Sequence, residues 1–195
     1  MLLPVAFPGR SAPVRESCWV ELFSMAQCVG YGAFVLGVTA FFQKIDHRLK
    51  FFNAAECLAY AVHFMLLGNF PGAASALISS ARSFLAIKIR SPLLAVAIIG
   101  LNIAVGLTLA KSWVGWFPVG ASSMATLAVF TMRGIPMRLA LLVSTFLWLA
   151  NNIICGSIGG TLLETVIAIV NGSTMFRILR SPERRLSRGF PGAED

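Results

Sequence analysis

The chain alternates long apolar stretches with short polar or Gly/Pro-rich segments. A helix needs about 20 mostly apolar residues to cross a bilayer. The pattern therefore predicts seven spanning helices, at residues 19–42, 51–67, 73–89, 93–110, 113–132, 137–155 and 161–175. Gly and Pro terminate helices, so residues 68–72 and 156–160 are predicted to be tight turns within two of the helix pairs.

Composition supports a membrane protein. Hydrophobic residues make up 57% of the chain and charged residues 12%, whereas soluble domains carry about 25% charge. Mean hydropathy is +0.79. The four cysteines, Cys18, Cys28, Cys57 and Cys155, are scattered without metal-ligand spacing, so we expect no disulfide framework, no metal and no cofactor.

The net charge of +8 comes from basic residues between the apolar stretches, which indicates topology control and not nucleic-acid binding. One side of a seven-span protein would hold only Arg10, Arg15 and Lys111. The other side would hold Lys44, Arg48, Lys50, Lys88, Arg90, Arg133, Arg138, Arg177, Arg180, Arg184, Arg185 and Arg188. This asymmetry predicts a cytoplasmic C-terminus and an N-terminus outside. Residues 1–17 are expected to be a flexible tail, and 178–195 a basic tail against anionic headgroups.

The chain also resembles itself at an offset of 88 residues. The offset aligns Gly68 with Gly156, Gly72 with Gly160, Tyr60 with Trp148 and His63 with Asn151. We interpret this as two parallel three-helix repeats, 18–92 and 113–177, joined by a linker helix at 93–112, in an all-α integral membrane protein of seven transmembrane helices (3+1+3). The alternative is that turn glycines and basic inner loops recur in any polytopic protein.

Polar residues form stripes on three of the apolar helices. Asn53, Glu56, Tyr60 and His63 are spaced three or four residues apart on the second helix, so they share a face. One hypothesis is a polar cavity between the repeats, which would bind a neutral polar solute such as a sugar or nucleoside through Tyr60, His63, Trp148, Asn151 and Asn171. The other is that these groups only make interhelical hydrogen bonds, worth about 0.6 kcal/mol each.

Three ionisable residues lie inside apolar helices: Glu56, Arg82 and Glu164. Such groups are costly in lipid and need partners. Glu56 and Arg82 lie at similar depths on adjacent antiparallel helices, so we predict that they form an ion pair. Glu164 lies at about the depth of His63, so we expect those two residues to be closer to each other.

No motif supports catalysis: the chain has no HExxH, no paired loop carboxylates and no Ser/His/Asp arrangement, so we do not expect an enzyme. The pattern favours a small-solute transporter that works by alternating access, with the lipid bilayer and a small polar solute as its partners. The alternative is a non-transporting scaffold or regulator of a partner membrane protein.

Several local motifs resemble the YgjV-type family of bacterial inner-membrane proteins. They are Met25-Ala26-Gln27, Phe42-Gln43-Lys44, Arg48-Leu49, residues 63–68 (HFMLLG), Ala81-Arg82-Ser83 and residues 156–177, which include Gly159, Gly160, Glu164, Asn171 and Thr174. The resemblance implies a bacterial inner membrane and no particular activity. The 3+1+3 plan also resembles the SWEET and PQ-loop transporters, although this chain lacks their Pro-Gln pair at the end of the first and fifth spans.

Overall fold

The computed structural model describes residues 22–43, 46–89 and 91–180, and all regular structure in these ranges is helical. The predicted N-terminal tail, Lys44 and residues 181–195 of the basic tail lie outside the described residues. A short 3₁₀ turn, Trp113–Gly115, precedes the fifth of seven α-helices. These helices are α1 (Met25–Phe41), α2 (Asp46–Leu66), α3 (Phe70–Lys88), α4 (Pro92–Leu109), α5 (Trp116–Thr131), α6 (Gly134–Ile154) and α7 (Ile158–Arg180).

Three helices extend beyond their apolar stretches into segments expected to be loops. α2 begins at Asp46, α6 begins at Gly134 and α7 continues to Arg180, so the start of the predicted basic tail is helical. Hydropathy marks only where a helix is apolar enough for lipid. Backbone hydrogen bonding continues past that point until a cap or turn ends the helix.

The two tight turns have the same backbone geometry. Gly68 and Gly156 adopt φ values of +73° and +72°, in the left-handed region that favours glycine. The following residue caps the next helix in both turns by accepting a hydrogen bond from the amide three residues on, at 3.0 Å for Asn69 Oδ1 and 3.2 Å for Ser157 Oγ. The predicted turns are therefore present, and each ends in a side-chain N-cap. They are shorter than the predicted 68–72 and 156–160, because α3 begins at Phe70 and α7 begins at Ile158.

Six of the helices form a closed ring. α1, α2 and α3 pack in sequence, as do α5, α6 and α7, while α3 packs against α5 and α7 packs against α1. α4 lies outside this ring and contacts α3 and α5. The connection between the two three-helix groups therefore runs along the periphery, and the ring has a central space.

A buried asparagine attaches α4 to the ring. Asn102 is 1% exposed; its Oδ1 accepts a hydrogen bond from Ser75 Oγ at 3.1 Å. Its Nδ2 donates to Val119 O at 2.9 Å and to Ser123 Oγ at 3.0 Å. A single polar side chain thus links α4 to both α3 and α5.

The helices bury small and polar residues and expose large apolar ones. Ser75, Ser79, Ser122 and Ser144 are buried, and small residues of this kind allow close helix packing in membranes. Within the described residues, four segments are long and apolar enough to cross a bilayer, judged by length and composition: Pro92–Leu109, Trp113–Thr131, Gly134–Ile154 and Ile158–Arg177. Met25–Ala40 and Phe51–Leu66 are shorter apolar helices.

Candidate functional site

A cavity of about 400 Å³ lies at the centre of the ring. All six ring helices contribute to its wall, and α4 contributes none of the lining residues. Most of the lining consists of positions paired by the 88-residue offset: Gly37/Ala125, Asn53/Leu141, Glu56/Ser144, Cys57/Thr145, Tyr60/Trp148, Phe64/Asn152, Ala76/Glu164, Ser79/Ile167 and Arg82/Val170. The two three-helix groups therefore face the cavity with corresponding positions.

Three of the five residues proposed from sequence to bind a solute line this cavity: Tyr60, Trp148 and Asn171. Asn171 Nδ2 donates to the backbone oxygen of Arg138 at 3.1 Å. His63 and Asn151 do not line it. They are 0% and 2% exposed and belong to a separate set of contacts at the turns.

His63 links α2 to the first turn of α7. Its Nδ1 lies 2.6 Å from Ala26 O and its Nε2 lies 2.8 Å from Ser157 Oγ. The counterparts of His63 and Ser157, 88 residues away, are Asn151 and Asn69, and Asn69 Nδ2 donates to Asn151 Oδ1 at 2.8 Å. The same link thus occurs twice, once from each three-helix group to the other.

A glutamine strengthens the turn between α6 and α7. Gln27 is 0% exposed; its Nε2 donates to Gly156 O at 2.7 Å, and its Oε1 accepts from Ile158 N at 3.2 Å. We call Gln27, His63, Asn69, Asn151 and Ser157 the polar belt. Four of its members are at most 2% exposed, so the belt closes the ring at the end where the two turns lie.

Aromatic rings border the cavity next to the polar belt. Phe64 stacks on Tyr60 with ring centroids 5.8 Å apart and on Trp148 at 5.7 Å with the planes 8° apart. Since Trp148 belongs to α6 and the other two to α2, the stack bridges the two groups. Stacking at such distances contributes about 1 kcal/mol beyond the apolar area that is buried.

Glu56 and Glu164 line the cavity from α2 and α7, the two helices that flank α1 in the ring. Gly37 of α1 lies between these helices: a Cβ there would lie 3.1 Å from the carboxyl carbon of Glu56 and 2.7 Å from Leu163 Cδ2. The missing side chain at this glycine therefore allows α1 to pack closely against both α2 and α7.

Arg82 also lines the cavity, but its hydrogen bonds differ from the ion pair expected from sequence. Its Nη1 donates to Thr126 Oγ1 at 3.2 Å and to Ser122 O at 3.4 Å, both on α5. In the part of the chain that the structure describes, Arg82 forms no ion pair with Glu56. The hydrogen-bonded side chain of His63 likewise faces Ala26 and Ser157 and not Glu164. The depth of a residue along its helix was the basis for both predicted pairs. Depth does not specify which neighbouring helix a side chain faces.

Sequence reasoning missed several residues of the site. Gln27, Asn69 and Ser157 were not selected, and neither was Asn152, which is 2% exposed and lines the cavity. Gly30 admits the His63 ring, since a Cβ on Gly30 would lie 2.7 Å from His63 Cε1. The available signal was the offset itself, because Asn69 and Ser157 are both polar and follow the two aligned turn glycines.

Two buried polar atoms in the cavity wall have no hydrogen-bond partner among the described residues: Tyr60 Oη and Asn152 Oδ1. Such atoms are uncommon in folded proteins and call for an explanation. Among the described residues, no group of three His, Cys, Asp or Glu side chains is placed to hold a metal ion.

Comparison with known proteins assigns the chain to a family. Residues 24–182 match the family Imp-YgjV, described as a bacterial inner membrane protein. The chain is 34% identical over 160 residues to the inner membrane protein YgjV of Escherichia coli (strain K12), an alignment that covers 82% of this chain and 87% of that protein. No solved structure matches the chain. With a family match that spans all seven helices, the chain belongs to the Imp-YgjV family of bacterial inner membrane proteins, with several membrane-spanning helices.

Proposed function

We propose that this protein is a small-solute transporter that works by alternating access between two three-helix units, α1–α3 and α5–α7. The observation that carries the proposal is the central cavity of about 400 Å³, which both units line and α4 does not. Cavities of this size lie within the usual range for small-molecule sites. The scaffold alternative predicts a solid core at this position, and the cavity argues against it.

The contacts between helices support a parallel repeat. An axis along the membrane normal would relate α1 to α5, α2 to α6 and α3 to α7, as in transporters built from parallel repeats. Under that relation the packing of α3 on α5 corresponds to the packing of α7 on α1, and both occur. The two turns and their capping bonds correspond as well. α4 then serves as the linker helix of a 3+1+3 plan with seven spans.

The polar belt supplies a reason why the cavity would open to one side at a time. Its two links, His63–Ser157 and Asn69–Asn151, each join one unit to the other at the turn end. Rocking of the units would break these few hydrogen bonds at the turn end and close the opposite end. Interhelical hydrogen bonds in membranes average about 0.6 kcal/mol, so such a seal is weak enough to open.

A native thiol in the cavity wall provides the test. Cys57 lines the cavity, so a variant with Cys18, Cys28 and Cys155 replaced by Ser retains one reporter. Small charged methanethiosulfonates of either sign, which do not cross lipid, are applied to right-side-out and inside-out vesicles. Alternating access predicts modification of Cys57 from both faces.

Two further variants make this result interpretable. Ser144→Cys, in a chain with Cys57 also replaced by Ser, reports from the corresponding position on the opposite wall. Leu101→Cys, on the exposed surface of α4, should face lipid and react from neither side. Modification of both cavity reporters from one face only, or from none, would contradict alternating access.

The orientation is a separate proposal that rests on the basic residues. With seven spans, twelve of the basic residues counted above would lie on the side of the C-terminus and three on the other, which favours an outside N-terminus and a cytoplasmic C-terminus. The turns at Gly68 and Gly156 would then face the periplasm. Reporter fusions active only in the cytoplasm should give a signal at the C-terminus and none at the N-terminus, and signals at both ends would refute seven spans.

A further inference from the structure

We propose that the solute bound in the central cavity carries a protonated nitrogen, an amine or guanidinium, held between the carboxylates of Glu56 and Glu164 beside the aromatic stack. This inference deepens the proposed function in one respect only: it takes the cavity as the solute site. It replaces the neutral sugar or nucleoside suggested by the aromatic and amide residues alone.

Two of the polar residues expected in the cavity do not line it, and two acidic residues do. His63 and Asn151 are engaged in the polar belt, whereas Glu56 and Glu164 line the cavity. These are the two acidic residues within the apolar part of the helices, and they lie 108 positions apart in sequence. Their convergence on one space, from different units, brings two carboxyl groups to the same ligand-sized volume.

An unpartnered atom provides a second, independent observation. Tyr60 is 6% exposed and lines the cavity, and its Oη has no hydrogen-bond partner among the described residues. A phenol oxygen can accept a hydrogen bond. Tyr60 therefore adds an acceptor beside the two carboxyl groups, which suits a ligand that donates hydrogen bonds.

The arginines in the wall do not neutralise this acidic pair. Arg82 donates to Ser122 and Thr126 on α5, and no ion pair joins it to either carboxylate in the described part of the chain. Arg138 lies six residues before Ser144, the counterpart of Glu56, which is about 9 Å of helix rise. It therefore lies toward the end of the cavity opposite the turns, and among the described residues neither arginine forms an ion pair with Glu56 or Glu164.

The aromatic stack suits such a ligand. Tyr60, Phe64 and Trp148 border the same cavity as the two carboxylates, and their rings stack at 5.7–5.8 Å. Aromatic rings attract cations, and the attraction strengthens where water is excluded. A charged nitrogen attached to a planar or apolar body would therefore satisfy the carboxylates and pack against the rings.

Binding of three probes of similar size to the purified full-length protein tests the inference: benzylamine, benzyl alcohol and benzoate. Isothermal calorimetry in detergent gives the affinity of each, and thermal unfolding gives the matching stabilisation. We expect benzylamine to bind at least about tenfold more tightly than the other two, since hydrogen bonds to charged groups are worth about 1.5–3 kcal/mol. Equal affinities, or tighter binding of the alcohol or the acid, would overturn the inference.

Substitutions of the two glutamates test whether their carboxyl groups hold the amine. Glu56→Gln and Glu164→Gln keep the size of the side chain and should each weaken benzylamine binding about tenfold or more, while leaving benzyl alcohol binding unchanged. Gly32→Ala is the control, since nothing lies within 4 Å of a Cβ at that position. If a Gln variant does not fold, Tyr60→Phe removes one acceptor and should weaken benzylamine binding alone. If the folded variants bind benzylamine as tightly as the unsubstituted protein does, the proposed amine site is refuted.

The outcome is separable from that of the transport proposal. The thiol modification of Cys57 measures access from the two faces and needs no ligand, whereas these measurements need no access from a second face. Amine-selective binding with one-sided access would retain this inference and refute alternating access. Two-sided access without amine selectivity would do the reverse.

Discussion

The two three-helix groups present corresponding backbone positions to the cavity, but their side chains differ in kind. At three of these positions α2 and α3 carry Asn53, Glu56 and Arg82, and the counterparts on α6 and α7 are Leu141, Ser144 and Val170. At other positions the difference runs the other way: Asn152 on α6 corresponds to Phe64 on α2, and Glu164 on α7 corresponds to Ala76 on α3. A shared helical plan thus carries polar groups asymmetrically, and equivalent substitutions in the two groups should have unequal effects.

The two interfaces between the groups, α7 with α1 and α3 with α5, also carry different residues at corresponding positions. Position 159 on α7 is glycine, and its counterpart on α3 is Pro71. A Cβ on Gly159 would lie 2.7 Å from the carbonyl carbon of Gly30, which is backbone and cannot rotate away. α7 therefore lies against the α1 backbone at this point in a way that a larger residue at the same position would prevent.

The largest expected effect is that of Gly159→Ala. We expect a loss of about 3 kcal/mol in the free energy of unfolding, measured by SDS titration in mixed micelles, because overpacking against a backbone cannot be relieved by a rotamer change. Gly172→Ala, on the same helix with nothing within 4 Å of its added Cβ, is the control and should be neutral or stabilise by about 0.5–1 kcal/mol. Similar values for the two variants would mean that α7 does not contact α1 closely.

The next effect concerns the space that Gly30 provides for the His63 ring. A Cβ on Gly30 would lie 2.7 Å from Cε1 and 2.9 Å from Nδ1 of that ring, so Gly30→Ala should cost about 2 kcal/mol. The cost is smaller than at Gly159 because a side chain can shift. Gly32→Ala, two positions along α1, is the matched control. The same titration measures both, and an unchanged Gly30→Ala would show that His63 does not pack there.

Double-mutant cycles compare the two links of the polar belt. We expect His63→Ala with Ser157→Ala, and Asn69→Ala with Asn151→Ala, to give coupling energies of about 0.6–1.7 kcal/mol each, the range for interhelical hydrogen bonds in membranes. Each cycle isolates the pair if the single variants create no new contacts. Coupling at one link and none at the other would break the equivalence of the two turns.

The smallest effect identifies the partner of Arg82. The hydrogen bond to Thr126 predicts a coupling of about 0.6 kcal/mol between Arg82→Gln and Thr126→Val. Arg82→Gln and Glu56→Gln should be additive, since the two side chains form no ion pair. If the ion pair expected from sequence existed, the second cycle would give several kcal/mol. The thermal stability in detergent of the three single and two double variants decides between the two partners.

The sequence by itself determined the helices and the two turns. Apolar stretches separated by Gly/Pro segments predicted seven helices, and the described residues contain seven. This works because hydropathy and turn chemistry are local properties of the chain. The aligned glycines at 68 and 156 were readable for the same reason, since a φ near +70° at each favours that residue.

Helix ends and partners were less accessible from sequence. The ends of α2, α6 and α7 lie beyond the apolar stretches because a helix in water needs no hydropathy signal to continue. Depth could be counted along each helix, and it placed Glu56 and Arg82 at one level and Glu164 at the level of His63, whereas the structure brings all three charged residues to the same cavity. It could not show which neighbouring helix Arg82 would face, since that depends on the rotation of α3 within the ring.

Only the tertiary structure decided which polar residues line the cavity and which form the belt. His63 and Tyr60 are three residues apart on one helical stripe, yet Tyr60 borders the cavity and His63 is buried against Ala26 and Ser157. The difference comes from Gly30, which opens space for the His63 ring. Such a space arises from two helices and a turn that are distant in sequence, so no periodicity within α2 encodes it.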